Sequence, residues 1–272
     1  MRKNSLQYHL RIISTKPHIL NWFVPFFTLN NPKEYLRHFT GFGENKVATY
    51  HFKNGLQFKF QPRTKDTAIL VESIRDTYLP PQIKIDEQSI VIDIGAHIGA
   101  FTIPAAKLVS KGRVYAFEPG DVNFALLEKN VLINNLTNVS FEKYAISDSE
   151  STAELLLDPS NTGMNSIVFE DDKAVKQTVQ TKTLESVIEA NKLGVVDLLK
   201  IDTEGSEYKI LYSLPVEHFP KIKQISVEYH QVDKNDQNGN ALSHFLKDKG
   251  YVVKKKSFPG AVIGMLYASR FQ

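Results

Sequence analysis

Apolar and polar positions alternate along this chain with two different periods, and the change of period divides it. Between residues 47 and 62 the alternation is strict on either side of Asn54-Gly55 (VATYHF-KNG-LQFKFQ), which predicts two strands joined by a tight turn. Residues 66–78 (DTAILVESIRDTY) carry Ile69, Ile74 and Tyr78 at helical spacing, and Pro80-Pro81 ends that segment. From residue 89 strands and helices alternate. Ser89–Gly95 is a β-branched apolar run, as in a parallel strand covered on both faces, and a helix follows to about Ser110. Gly112–Glu118 is a second strand. Asp121 is placed to cap a helix through Asn135 with Phe124, Leu127 and Val131 on one face. Val139–Ile146 reads as a third strand. Residues 151–195 hold alternating runs and a short helix capped at Thr183. Val195–Ile201 is a fourth strand, followed by a helix that opens in DTEGSE and runs through Leu214. Gln224–Tyr229 is a fifth, followed by a helix with Leu242, Phe245 and Leu246 inward that ends at Gly250. The last two strands, YVVKKKSF and AVIGMLYAS, meet at Pro259-Gly260 with no helix between them and should pair antiparallel. The pattern is that of an α/β fold, a doubly wound, mostly parallel sheet with an antiparallel C-terminal edge hairpin. It divides into an N-terminal arm (1–45), a hairpin and helix (46–88) and a main domain (89–272).

Composition narrows this reading slightly. The 272 residues, 42% of them hydrophobic, suffice for one large α/β domain with a small extension. A formal charge of +3 gives no reason to invoke nucleic acid. The absence of cysteine excludes disulfides, thiolate metal sites and a cysteine nucleophile, and suits a cytoplasmic protein. The apolar run Ile19–Leu29 is too short to span a bilayer and is interrupted by Asn21 and Pro25. Basic residues precede it, but no alanine occurs before Ala48 to form a small-residue cleavage site. Its aromatic residues, Trp22, Phe23, Phe26 and Phe27, are expected to pack on the main domain or on a second copy of the chain. The sharper alternative is a peripheral contact with a membrane surface.

Four pieces fall at the carboxyl ends of successive predicted strands, which share one crevice in an open α/β sheet. They are Asp93–Gly99, Glu118-Pro119, Tyr144–Asp148 (YAISD) and Lys200–Glu207 (KIDTEGSE). The turn Gly95-Ala-His-Ile-Gly99 has two glycines where a dinucleotide fingerprint has three. Asp93, just ahead of it, would oppose a pyrophosphate, so a cationic ligand without phosphates fits better. S-adenosylmethionine, with a sulfonium, an ammonium and a carboxylate, is one. Glu118 lies about 20 residues beyond the turn, at a strand end from which a carboxylate accepts both ribose hydroxyl protons. Taken alone it would read as a strand-end charge facing solvent.

These pieces, in this order and spacing, resemble the FkbM-type methyltransferases, a branch of the seven-stranded class I methyltransferases. The resemblance rests on VIDIGAHIGAFTIPAA (91–106), AFEPGDVNFALLEKNVLINN (116–135), YAISD, DLLKIDTEGSE (197–207) and SVEYH (226–230), with NTGMNS (161–166) and TKTLESVIE in support. It covers residues 50–270 and leaves 1–45 uncovered. It implies a Rossmann-like seven-stranded sheet and an S-adenosylmethionine-dependent O-methyltransferase. The implied acceptor is a hydroxyl on a sugar of a glycan, a glycolipid or a glycosylated metabolite. The cofactor's amino-acid end is then expected by Asp93, Gly95, Ala96, His97 and Gly99. Its ribose is expected on Glu118, and its adenine near Pro119, Asn123, Ala145 and Ile146. His97 stands where the family more often has asparagine.

Methyl transfer from a sulfonium needs chiefly proximity and alignment. A sugar hydroxyl has a high pKa, so a general base helps. His230, directly after the fifth strand, is the first candidate, with Asp202 and Glu204 next. Blander roles compete: Lys200 and Asp202 can pair with each other, and Glu204 and Glu207 sit at a helix N-terminus, where carboxylates are stabilising anyway. Asp202, Glu204, Glu228 and His230 are competent metal ligands, but nothing in their spacing demands an ion, and no metal is expected. The acceptor walls are expected in the arm, the 66–78 helix and the 158–170 loop. Competing functions are methylation of another small molecule or of nucleic acid, and a non-catalytic S-adenosylmethionine-binding module. Nucleic-acid methylation is disfavoured because DTEG stands where such enzymes carry an Asn/Asp-Pro-Pro-aromatic motif for an extruded base.

Overall fold

The computed structural model describes residues 29–39, 47–61, 78–158, 163, 165–168, 175–233, 235–257 and 262–270. The 66–78 helix, apart from Tyr78, the aromatic run ahead of Leu29 and most of the 158–170 loop lie outside them. Among the described residues no helix is long and apolar enough to cross a membrane.

The main sheet has seven strands: β3 (Ile90–Ile94), β4 (Arg113–Phe117), β5 (Val139–Glu142), β9 (Leu198–Ile201), β10 (Gln224–His230), β11 (Val252–Lys256) and β12 (Ile263–Ser269), in the order β11-β12-β10-β9-β3-β4-β5. The pairs β3–β4, β4–β5, β3–β9 and β9–β10 are parallel. The chain builds outward from β3 through β4 to β5, then returns to β3's other side with β9 and continues to β10. The reversal between β3 and β9 opens a crevice at the strands' carboxyl ends. Helices α2 (Thr102–Leu108), α3 (Asp121–Ile133), α4 (Leu184–Ala190), α5 (Glu207–Ser213) and α6 (Gly239–Asp248) provide the crossovers, as apolar runs buried on both faces require. All four residues of β9 are buried. In the C-terminal hairpin β12 lies inside, antiparallel to both β10 and β11. The outer strand β11 exposes Lys254, Lys255 and Lys256, which blunts the sheet edge.

The sequence pattern merges two elements that the structure separates. The strand expected over Val139–Ile146 breaks after Glu142. Its first part, β5, is the partly exposed edge of the main sheet. The buried remainder, β6 (Ala145–Ser147), joins a three-stranded sheet with β7 (Ser151–Leu157) and β8 (Val175–Thr183). Thr183 caps α4 as expected, accepting from the Ser186 N–H. Asp121 does not cap α3: Gly120 is the N-cap, and the Asp121 carboxylate pairs with Lys143 instead. Helix α5 begins only at Glu207, because Glu204 (φ 51°) and Gly205 (φ 110°) are both left-handed and cannot start a right-handed turn.

The small hairpin of β1 (Ala48–His51) and β2 (Gln57–Phe60) pairs Ala48 with Phe60 and His51 with Gln57. It docks on α3 through two asparagines one turn apart. Asn130 accepts from the Lys59 N–H and donates to the Lys59 and Ile98 carbonyls, and Asn134 does the same for both backbone groups of Gln57. Two side chains thus replace a neighbouring strand. The buried face of α3 is accordingly Asn123, Leu126, Leu127, Asn130 and Val131, with Phe124 at its margin. The arm contributes α1 (Pro32–Phe39), held by Asn31, which accepts from the His51 N–H and donates to the Thr49 carbonyl.

Candidate active site

The turn after β3 is shaped by what lies behind it. Gly95 has φ 75°, and a Cβ there would stand 1.7 Å from the Asp202 carbonyl oxygen, so only glycine lets the end of β9 close against the turn. At Gly99 (φ 88°) a Cβ would come within 2.9 Å of Leu127. The Gly95 and Ala96 N–H groups both donate to the Phe117 carbonyl, which ties the turn to β4. His97 is nearly buried with φ 53°.

Asp93 is fully buried beneath the turn. Its carboxylate pairs with Lys200 Nζ at 2.9 Å and accepts from the Thr102 hydroxyl at 2.5 Å. Lys200 also donates to the Gly95 carbonyl at 2.7 Å. Burial alone would lower the Lys200 pKa, but Asp93 and, more weakly, Asp202 and Glu228 outweigh it and raise it. Lys200 therefore pairs with Asp93, not with Asp202, and the negative charge ahead of the turn is neutralised inside the fold.

Glu118, 5% exposed, draws the β4 and β3 loops together. One carboxylate oxygen accepts from the His97 N–H (2.9 Å), the other from the Gly120 N–H (2.9 Å) and the Asn123 amide (3.5 Å). Burial pushes its pKa up to about 7, against these hydrogen bonds, which lower it. Asn123 is buried at the start of α3, and Ala145 and Ile146 are buried in β6. The half-exposed Pro119 presents its carbonyl to Gln177. Asn165, in the NTGMNS loop, accepts from the Asp158 N–H, and Ser166 donates to the Glu204 carbonyl at 2.7 Å. Ser166 thus ties the end of that loop to the backbone at Glu204.

On the other side of β3 the acidic residues gather around one histidine. His230, at the end of β10, is fully buried. Its Nε2 lies 3.1 Å from Glu204 and its Nδ1 3.3 Å from Glu207, whose carboxylate also accepts the His230 N–H at 2.6 Å. Burial would lower the imidazole pKa, but Glu204 and Glu207 override it and hold it well above the ordinary histidine value. The ring lies between two carboxylates, which favour its charged form. Glu228 Oε1 stands 4.0 Å away, and Asp202 is half-buried beside the Gly95 turn. Tyr78 joins the last two acids: its hydroxyl donates to Asp202 at 2.6 Å and approaches Glu228 at 3.1 Å. Asp202, Glu228 and His230 could also converge on one cation, as could Glu185, Glu189 and His218 elsewhere among the described residues. In the first trio Tyr78 and Glu204 already supply each group with a partner.

The structure thus joins Gly95 to Asp202, Glu118 to His97 and His230 to Glu204, and gives three residues contacts that the pattern did not assign. Lys200 acts beneath the turn, Glu207 on the histidine, and Tyr78 between the acids. Glu207 was legible only as a helix-start carboxylate. Tyr78 carried no chemical signal, only its place before Pro80-Pro81.

The crevice has the donor set that S-adenosylmethionine needs. A glycine turn admits close approach. A buried carboxylate, Glu118, has lone pairs for a ribose diol. Asp202, half-buried, borders the turn with its hydrogen bond from Tyr78 and no ion pair among the described residues.

The FkbM methyltransferase domain model matches residues 93–253. Methyltransferase sdnD of Sordaria araneosa is 26% identical over 195 residues, covering 61% of this chain and 74% of that relative. The 31-O-demethyl-FK506 methyltransferase FkbM of Streptomyces tacrolimicus is 26% identical over 187 residues, covering 57% and 71%. Among solved structures, methyltransferase FkbM from Methylobacillus flagellatus KT shares 15% identity at a TM-score of 0.48, over 69% of this chain and 45% of that one. With the matched region running from Asp93 beneath the glycine turn, through Glu118, to past His230, this chain belongs to the FkbM methyltransferase family and is an S-adenosylmethionine-dependent methyltransferase.

Proposed function

We propose that the protein methylates a hydroxyl oxygen, on a sugar of a glycan, a glycolipid or a glycosylated small molecule, with Asp202 as the general base. The observation that carries this reading is the Tyr78 hydroxyl on Asp202: at the crevice, a carboxylate next to the cofactor turn already accepts a hydroxyl proton at 2.6 Å. Support also comes from the Streptomyces tacrolimicus relative, whose name assigns it an O-methylation.

When bound, the cofactor supplies a methyl group already activated by its sulfonium. The chain's own residues do the rest. The Gly95 turn would hold the cofactor's amino-acid end and Glu118 its ribose, and that fixed geometry would supply most of the rate. Asp202 would take the acceptor hydroxyl's proton as that oxygen receives the methyl group the cofactor would supply. A carboxylate has about four lone-pair positions, so Tyr78 leaves room for the acceptor. His230, charged and buried, is poorly suited to accept a proton. Its role in this reading is to hold Glu204 and to offset the acidic charge of the corner.

The test is methyl transfer to a panel of glycosides, free sugars, non-carbohydrate alcohols, phenols and amines, read by mass spectrometry. A methyl ether on a sugar, abolished by Asp202→Asn, is the expected product. A methylated nitrogen or carbon would overturn the assignment. So would an ether formed at an unchanged rate without the Asp202 carboxylate.

A further inference from the structure

Tyr78 belongs neither to the glycine turn nor to the acidic strand ends, yet it touches the chemistry of both. Its hydroxyl lies between Asp202 and Glu228, at 2.6 and 3.1 Å. Its ring packs edge-on against Phe101 at 5.9 Å, just before α2, and faces Lys200 Nζ at 5.1 Å. Phe101 and the Lys200 ammonium thus locate the ring from two sides, and the ring locates the hydroxyl.

The two acids it joins come from neighbouring strands. Asp202 follows β9 and Glu228 lies within β10, both on the crevice side. Carboxylates this close repel each other when both are charged, and one then tends to take up a proton. Among the described residues, three groups oppose that here. Lys200 of β9 raises the local potential, although most of its charge is met by Asp93. His230 of β10 lies 4.0 Å from Glu228, although Glu204 and Glu207 hold it. The group aimed at both acids is the Tyr78 hydroxyl. Burial, and then the charges of Asp202 and Glu228, push its own pKa well above 10, so it stays a donor throughout the neutral range. Tyr267 of β12 adds no competing anion, since burial and Glu228 raise its pKa to about 12.

We propose that Tyr78 is a positioning residue: its one hydroxyl proton, donated to Asp202 at the shorter distance and within reach of Glu228, favours the ionised form of Asp202 and orients it for proton abstraction. The inference rests on the proposed role of Asp202 only for its catalytic consequence. The bridging itself stands on geometry. A tyrosine that merely filled space would be replaced by phenylalanine without electrostatic effect, because the ring contacts with Phe101 and Lys200 survive that change.

Tyr78→Phe tests this in the full chain. The carboxyl carbons of Asp202 and Glu228, labelled with carbon-13, are titrated by NMR in wild type and variant. At least one of the two curves should move to higher pH by one unit or more, while the thermal midpoint and the dissociation constant for S-adenosylmethionine change little. On any acceptor found in the panel above, kcat should fall at least tenfold with KM nearly unchanged, and the acid limb of the profile should move the same way. Coincident titration curves in a folded variant would overturn the proposal. If the curves move but no O-methyl product is ever found, the bridge stands and the O-methylation reading falls. Should Tyr78→Phe fail to fold, the Tyr78 hydroxyl proton is followed by NMR in the wild-type chain: a downfield resonance protected from exchange at neutral pH and lost as the acids are protonated is expected, and a rapidly exchanging hydroxyl would overturn the bridge.

Discussion

Lys200 and Asp93 form an ion pair of 2.9 Å that solvent scarcely reaches: the aspartate side chain is wholly buried and the lysine side chain 3% exposed. Placed at matching positions of β9 and β3, they are register partners across the switch in strand order. The pair therefore does two things at once. It neutralises the charge beneath the cofactor turn, and through the Lys200 bond to the Gly95 carbonyl it holds the turn's shape. Lys200→Met leaves Asp93 buried and unpaired, which costs about 3–5 kcal/mol of stability. Denaturant unfolding should show that loss. It should be largely recovered when Asp93→Asn is added, because the stranded charge disappears with it. A single variant as stable as wild type would show that the pair is not a buried charge contact in solution.

Glu118 predicts how the cofactor-free protein answers to pH. Its folded pKa of about 7 lies above the ordinary glutamate value near 4.3. The folded state therefore holds this proton more tightly than the unfolded chain does. The contribution is complete below the unfolded value and is lost as pH rises toward 7, on the order of 3 kcal/mol across the interval. Glu118→Gln should flatten that part of the stability–pH curve, followed by thermal melts between pH 4.5 and 8. S-adenosylmethionine prefers the opposite state, because a charged carboxylate is the stronger acceptor for ribose hydroxyls. Its affinity should weaken below pH 7 in wild type and fall roughly tenfold to a hundredfold at pH 8 in Glu118→Gln, by calorimetry.

Much of this site is legible in the sequence because the relevant residues sit at strand ends, and a parallel strand announces itself by its apolar run. Asp93, Glu118 and His230 each lie within or directly beside such a run, so the crevice can be assembled from β3, β4, β9 and β10 before any coordinates. What the pattern does not carry is pairing across the sheet. Asp202 is two residues from Lys200 and alternation puts both on one face, yet Lys200 pairs with Asp93 because β3 runs alongside β9. Strand adjacency decides that, and it is a property of topology. Tyr78 is hidden for the same reason: 124 residues separate it from Asp202. The break between Glu142 and Ala145 is invisible because both halves of Val139–Ile146 are apolar enough for one strand. The asparagine docking of α3 is missed because Asn130 and Asn134, though on the same helix face as Leu127 and Val131, are polar and carry no apolar signal.

His230 should titrate late. With Glu204 and Glu207 on its two nitrogens, the imidazolium persists where an ordinary histidine is neutral. A raised folded pKa means that the stabilisation is complete below the unfolded value, about 6.5, and is lost only as pH rises through the folded one. Nitrogen-15 NMR of the imidazole at pH 8 should show both nitrogens protonated. A single-proton tautomer at that pH would contradict the clamp. His230→Ala abandons the buried Glu207 and the half-buried Glu204 carboxylates and should cost about 3–5 kcal/mol. It should also lower turnover while leaving the cofactor dissociation constant close to wild type, the reverse of the Glu118→Gln pattern.

Gly95 separates a backbone argument from a chemical one. Alanine there meets two obstacles. The φ of 75° is left-handed, which costs a side-chain residue about 1–2 kcal/mol. The new Cβ would also lie 1.7 Å from the Asp202 carbonyl oxygen, so β9's end must move away from β3. That movement displaces Asp202 and pulls on the Lys200 bond to the turn, so stability and chemistry fail together. Gly95→Ala should lose about 3 kcal/mol or more, and its thermal midpoint should fall by roughly 6–12 °C for a domain of this size. S-adenosylmethionine should then give little or no thermal shift. Gly194→Ala is the matched control, since no atom lies within 4 Å of a Cβ at that position, and its melting and cofactor binding should match wild type. If Gly95→Ala binds cofactor as well as Gly194→Ala does, then the close approach of Asp202 to the turn is not part of the cofactor site.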